Sequence, residues 1–140
     1  MESRFAHIIQ CLGEAFDSCL EVDEEGCCTF LTEESLEIQL SPDRLEENLI
    51  MVAFVQVLYP GPFRERVLEA VLRENNHPNF SPIFSYIEST NTLVLHHQLP
   101  FEGIGEEECA DALDILFDEA LQWKLAIESV SPFPQRQSTL

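Results

Sequence analysis

Leu49–Pro60, LIMVAFVQVLYP, is a long and nearly uninterrupted apolar stretch in a chain that carries 26 acidic side chains. β-Branched and aromatic residues such as Ile50, Val52 and Phe54 dominate it, and these residue types favour a strand over a helix. Pro60-Gly61-Pro62 ends the stretch. Because apolar residues stand at consecutive positions, we predict a central strand of a sheet with both of its faces covered.

The segments before this strand predict one helix and two further strands. In Ser3–Asp17 apolar residues recur at three- and four-residue spacing, which is typical of an amphipathic helix. Cys27–Leu31 is a short run that predicts a strand. Leu36–Leu40 alternates apolar and polar residues, which predicts a strand with one buried face.

The segments after it predict two helices and two strands. Pro62 suits the first turn of a helix over Phe63–Asn75, and a Ser89–Asn91 turn separates strands at Ile83–Glu88 and Thr92–Gln98. The acidic residues that open the last helix, 106–128, suit its dipole. We therefore predict an α+β fold, α-β-β-β-α-β-β-α, with a twisted antiparallel sheet. Residues 3–128 form one predicted domain, and 129–140 a predicted flexible tail.

The composition restricts the partners. Seven basic residues oppose 26 acidic ones, a formal charge of −19. This charge disfavours nucleic acid and anionic membranes and favours basic partners. No apolar run reaches the length of roughly 18 residues that a membrane helix needs, and Met1–Phe16 lacks a signal-peptide pattern. Five cysteines without a disulfide spacing predict reduced thiols. We expect a cytosolic protein without membrane insertion.

The cysteine, histidine and acidic residues are the candidates for metal-binding or catalytic sites. Zinc sites use paired short spacings such as C-x-x-C or H-x-x-x-H, and we find none, so we predict no metal and no cofactor. His96 and His97 are adjacent on a predicted strand, and their rings should diverge to opposite faces. A catalytic Cys–His pair formed by tertiary contact stays an alternative. The acidic clusters lack the spacing of a calcium loop and are interpreted as solvated turns and a helix start.

The order and spacing of these motifs resemble the class I type III secretion chaperones, the CesT/SycE-like family. The resemblance covers residues 3–128. One departure is the connection His77–Pro82, where family members often have a glycine-rich turn. The matching stretches are Cys28-Thr29-Phe30, Leu36–Leu40, Leu49–Tyr59, Phe63–Asn76, Leu93–Pro100 and Cys109–Glu128.

The resemblance implies a homodimer in the bacterial cytosol that has no catalytic activity. It would bind the unfolded N-terminal segment of one or more secreted effectors and keep it soluble for export; contact with the secretion ATPase is left open. By the same resemblance, the first helix and strands would form the effector-binding groove, and the second helix with the following strand would form a two-fold interface. The groove residues are Phe5, Ile9, Phe30 and Ile38, and the interface residues are Phe63, Val67, Val71, Phe84 and Tyr86.

Three other functions remain open. The first is an acidic regulatory or adaptor protein of the same fold without secretion cargo. The second is a thiol enzyme, which would need a cysteine with a strongly lowered pKa. The third is a nucleic-acid mimic, which the charge alone suggests.

Overall fold

A computed structural model describes residues 4–16, 19–75 and 82–134. The element order is the predicted one, with a single turn of 3-10 helix, Glu88–Thr90, between the last two strands. Three parts of the sequence predictions lie outside the described residues. They are the two ends of the first predicted helix (Ser3 and Asp17), most of the His77–Pro82 connection, and tail residues 135–140. The elements are α1 Arg4–Ala15, β1 Cys28–Leu31, β2 Glu37–Pro42, β3 Asn48–Val57, α2 Pro62–Glu74, β4 Ile83–Ile87, β5 Thr92–Pro100 and α3 Glu106–Glu128.

The strands form one antiparallel sheet with the order β1-β2-β3-β5-β4. β3 lies in the middle, as the apolar stretch predicts. It pairs with β2 on one side and β5 on the other, with an irregularity between Phe54 and Gln56. The strand ends at Val57 rather than Tyr59 because the chain then leaves the sheet: Leu58 enters the core and Tyr59 is exposed.

All three helices contribute to a single core on one face of the sheet. Alternate residues of β3 (Leu49, Met51, Ala53 and Val55) are buried in it. α3 packs on β3 and β5, α1 on α3, and α2 on β4. Among the described residues no helix is long and apolar enough to cross a membrane.

The opposite face of β3 is only half-buried, so the prediction of two covered faces is wrong. Ile50, Val52 and Phe54 alternate with the core residues, and they do not belong to the core cluster of the described residues. The sequence misleads here because these residues are as apolar as those that the helices cover. An apolar sheet surface therefore remains available.

Side-chain hydrogen bonds attach α2 to the sheet. The Asn75 amide, at the end of α2, donates to the Phe84 carbonyl over 2.9 Å and accepts from the Phe84 N–H over 2.8 Å. The Tyr86 hydroxyl donates to the Leu58 carbonyl over 2.8 Å. The Arg64 guanidinium lies 5.6 Å from the centre of the Tyr86 ring. α2 and β4 therefore form one packed unit, which we call the α2–β4 unit.

Candidate functional site

An apolar cleft of about 370 Å³ opens between α1, the β1–β2 hairpin and α3. We call it the edge groove. Its floor and walls are aliphatic and aromatic, and its rim is polar and acidic. The lining residues are Phe16, Leu20, Phe30, Leu31, Thr32, Glu33, Glu34, Ile38, Leu113, Asp114 and Phe117.

Two strands and two helices position the apolar lining of the edge groove. Phe30 of β1 and Ile38 of β2 are directly paired across the hairpin, so both point to the helix side of the sheet. Leu113 and Phe117 lie one turn apart on α3, on the same side of that helix. Phe16 continues the last turn of α1, because its N–H donates to the Leu12 carbonyl over 3.0 Å.

β1 is an edge strand, and this gives the groove a backbone surface as well as an apolar one. It has only four residues and pairs with β2 alone among the described strands. Leu31 at its end is 68% exposed. An edge strand presents N–H and C=O groups that another extended chain can bind. The edge groove can therefore take an extended peptide that both adds a strand and inserts side chains.

Carboxylates surround the opening of the edge groove. Glu33 and Glu34 lie on the β1–β2 turn, and Asp114 lies on α3. All three are exposed, and the chain has a formal charge of −19. Such a rim attracts a basic segment and repels an acidic one.

The structure brings together two of the four residues predicted for effector binding. Phe30 and Ile38 line the edge groove, whereas Phe5 and Ile9 are buried in the core, at 4% and 2% exposure. Sequence reasoning missed Phe16, which is partly exposed and lines the groove. It also missed Leu20, Leu31, Leu113 and Phe117 as lining residues. The apolar stripe of α3 was a signal for the last two.

The residues predicted for the dimer interface do lie together, at the α2–β4 unit. Val67, Val71 and Phe84 are buried within the protomer, and Phe63 and Tyr86 are half-buried. Their role in a dimer stays a prediction. The exposed apolar side chains nearby are different ones: Leu72 of α2 is 65% exposed, and Ile83 of β4 is 49% exposed.

A second apolar surface lies on the face of the sheet that the helices leave uncovered. Ile83 of β4 pairs with His96 of β5, and His96 pairs with Val52 of β3. These three residues therefore share that face. Val94 is buried between its neighbours there. We call this surface the open sheet face and define it by Ile50, Val52, Phe54, Ile83 and Ile87.

The thiols for which a pKa shift is resolved move away from catalytic reactivity. Burial raises the pKa of the Cys28 and Cys109 thiols. A hydrogen bond to Glu106 raises the pKa of Cys11 to about 11. A nucleophilic cysteine needs the opposite shift, because the thiolate is the reactive form.

His7, Cys11 and Glu106 form the one group of three described residues whose ligand atoms could converge on a metal ion. Cys11 Sγ lies 3.6 Å from His7 Nε2, and His7 Nε2 lies 3.3 Å from Glu106 Oε1. The metal prediction from the sequence tested C-x-x-C and H-x-x-x-H spacings and therefore did not consider the mixed spacing of His7 and Cys11.

Comparisons with known proteins agree with this architecture. The model of the Tir chaperone protein (CesT) family matches residues 7–124. A search of curated protein sequences finds no match. Among solved structures, the HopA1–SchA chaperone–effector complex aligns with a TM-score of 0.73 at 16% identity, covering 88% of this chain and 94% of that one.

Two further structures are similar over most of the chain. The ExsC–ExsE complex aligns with a TM-score of 0.68 at 24% identity, covering 89% of this chain and 96% of that one. The Yersinia pestis type III secretion chaperone SycH, in complex with a stable fragment of YscM2, aligns with a TM-score of 0.66 at 18% identity, covering 84% and 97%. At these identities the likeness establishes the fold.

Proposed function

Because the chain belongs to the Tir chaperone protein (CesT) family, we propose that it is a type III secretion chaperone of the bacterial cytoplasm. It binds the N-terminal segment of one or more secreted effectors, keeps that segment soluble and unfolded for export, and acts by binding, without catalysis. The observation that carries this proposal is the edge groove, where an open strand edge borders an apolar cleft.

Strand addition explains how such a groove holds an unfolded segment. The segment extends along β1 and pairs its backbone with the free edge, which does not depend on its sequence. Alternate side chains of an extended chain point to the same face, so every second residue enters the cleft against Phe30, Ile38 and Phe117. Selectivity then comes from apolar residues at that spacing.

Charge adds a second preference. The rim formed by Glu33, Glu34 and Asp114 favours effector segments whose polar residues are basic, and the overall charge speeds their encounter. The same charge keeps the complex soluble while its cargo is unfolded. Export-competent segments with a basic, alternating apolar pattern are the expected cargo.

The proposal includes a homodimer built around the α2–β4 unit. The apolar side chains of Leu72 on α2 and Ile83 on β4 are exposed. A two-fold contact there covers apolar surface that a monomer leaves in water.

A capture experiment tests the function. Tagged chain is purified from the organism that encodes it while type III secretion is induced, and the bound proteins are identified by mass spectrometry. Limited proteolysis then maps the protected segment, and export of the same protein is measured in a strain that lacks the chaperone. We expect a secreted protein whose protected segment lies near its N-terminus and whose export fails in that strain.

Phe30→Asp is the variant for this experiment, and Leu45→Asp is its control. Phe30 lines the edge groove, whereas Leu45 is exposed on the β2–β3 turn away from it. Phe30→Asp places a buried charge at a central contact, so it should weaken effector binding by about 2 kcal/mol, or roughly 30-fold. Both variants should keep the helix content of wild type, measured by circular dichroism. Equal capture by Phe30→Asp and wild type would place the binding site elsewhere, and an absence of any exported client would favour the adaptor interpretation.

A further inference from the structure

His7 and Cys11 are four residues apart on α1, which places their side chains on the same side of the helix. Glu106 is the first residue of α3 and faces them from the neighbouring helix. The three side chains belong to two elements far apart in sequence. Their ligand atoms all lie within 4.8 Å of one another.

Two of the three distances within this group match the edges of a tetrahedral zinc site. With zinc–sulfur bonds of about 2.3 Å and zinc–nitrogen bonds of about 2.05 Å, tetrahedral angles place sulfur and nitrogen about 3.6 Å apart. Nitrogen and a carboxylate oxygen with similar bond lengths are then about 3.3 Å apart. The structure has 3.6 Å from Cys11 Sγ to His7 Nε2 and 3.3 Å from His7 Nε2 to Glu106 Oε1.

We propose that His7, Cys11 and Glu106 bind a zinc-class divalent ion, with water in the fourth position. Sulfur, imidazole nitrogen and carboxylate together suit zinc, whereas magnesium and calcium prefer oxygen alone. His7 and Glu106 are exposed, so an ion can enter from solvent.

The ion would connect α1 to α3. The edge groove lies farther along the same two helices, because Phe16 is nine positions beyond His7 and Leu113 is seven beyond Glu106. At 1.5 Å per residue this separates the ion from the groove by roughly 10–14 Å. A bound ion would therefore fix the spacing of two groove walls without touching the cargo.

Cobalt absorption tests the site on the chain alone. Co²⁺ is titrated into the reduced protein in the presence of excess Mg²⁺, which occupies nonspecific carboxylates. We expect a thiolate-to-cobalt charge-transfer band that saturates at one ion per chain and disappears when Zn²⁺ is added. A spectrum with only the bands of an oxygen-coordinated ion would overturn the proposal.

Matched variants identify the ligands. Cys11→Ala should abolish the charge-transfer band, and Glu106→Gln should weaken Zn²⁺ affinity by at least about tenfold, because even loss of a residue that only orients a ligand has that effect. Cys19→Ala and Glu107→Gln alter an exposed thiol and the neighbouring carboxylate, and both should bind as wild type does. A band that survives in Cys11→Ala, or is lost in Cys19→Ala, would refute the assignment.

Thermal unfolding gives a second measure. At 100 times its dissociation constant, Zn²⁺ should raise the Tm of wild type by roughly 5–10 °C and leave the Tm of Cys11→Ala nearly unchanged. The measurement uses no effector, so its failure leaves the chaperone proposal standing. An equal shift in both proteins would mean binding elsewhere.

Discussion

Trp123 connects the last helix to the edge of the sheet. Its ring is buried, and it meets the Phe84 ring edge to face with centroids 4.9 Å apart. Its indole N–H donates to the Glu119 carboxylate over 3.3 Å. The structure therefore places Trp123 in the core.

Replacing Trp123 by alanine should lower the free energy of unfolding by about 3–5 kcal/mol, because it removes a large buried side chain and leaves a cavity against Phe84. Urea unfolding followed by circular dichroism measures this loss. Leu125→Ala is the control, since Leu125 is on the same helix but 53% exposed, and it should change the free energy by less than about 0.5 kcal/mol. Equal losses in the two variants would contradict the assignment of Trp123 to the core.

Strand β5 places one histidine on each face of the sheet. His97 pairs with the buried Met51, and His96 pairs with Val52. A hydrogen bond of 2.8 Å joins His96 Nε2 and Ser85 Oγ. Burial lowers the pKa of both rings below 6.5, and His96 lowers the pKa of His97 further. Both histidines therefore favour the neutral form in the folded protein.

This lowered pKa gives the fold a dependence on pH. Below about pH 6.5 the unfolded chain binds protons that the folded chain resists, so stability falls until the pH reaches the folded pKa values. We expect wild type to lose more stability than the variant with His96→Gln and His97→Gln between about pH 8 and about pH 5.5. The urea midpoints of wild type and the double variant are compared at both pH values. Both proteins carry the same carboxylates, so the effect of carboxylate titration largely cancels. Parallel changes in the two proteins would refute it.

The sequence predicts the helices and strands well, but it predicts less well which face of the sheet the helices cover. β3 was predictable because its β-branched residues favour a strand in any context, and the α1 stripe because its spacing is helical. The open sheet face was not predictable, since Ile50 and Met51 are equally apolar and only tertiary packing decides which of them a helix covers. The groove was half predictable for the same reason: Phe30 and Phe5 both look like core residues, and only one borders a cleft.

The whole molecule has all of its described helices on one side of a sheet, and this asymmetry bears on its oligomeric state. The open sheet face and the exposed Leu72 leave apolar area in water that a second copy of the chain can cover. Val67 and Val71 are unsuitable for testing the dimer, because a charge at either buried position would damage the protomer itself.

Leu72→Asp and Ile83→Asp test the proposed dimer instead. Wild type should scatter light as a dimer of about twice the 16.0 kDa chain mass, and each variant should shift towards the monomer because a charge would be desolvated at the contact. Ile115→Asp, at an exposed position on α3, should remain dimeric. A monomeric wild type, or variants that dimerise as wild type does, would count against the α2–β4 interface.

The pairing of β3 with β5 also sets the order in which the chain can fold during synthesis. β1, β2 and β3 form a meander of neighbouring strands, but β3 pairs next with a strand that begins at Thr92. The ribosome adds roughly 5–20 residues per second, so one edge of the most apolar strand stays unpaired for a time on the order of seconds. During that interval the nascent chain presents the kind of exposed strand edge that the finished protein would protect in its cargo.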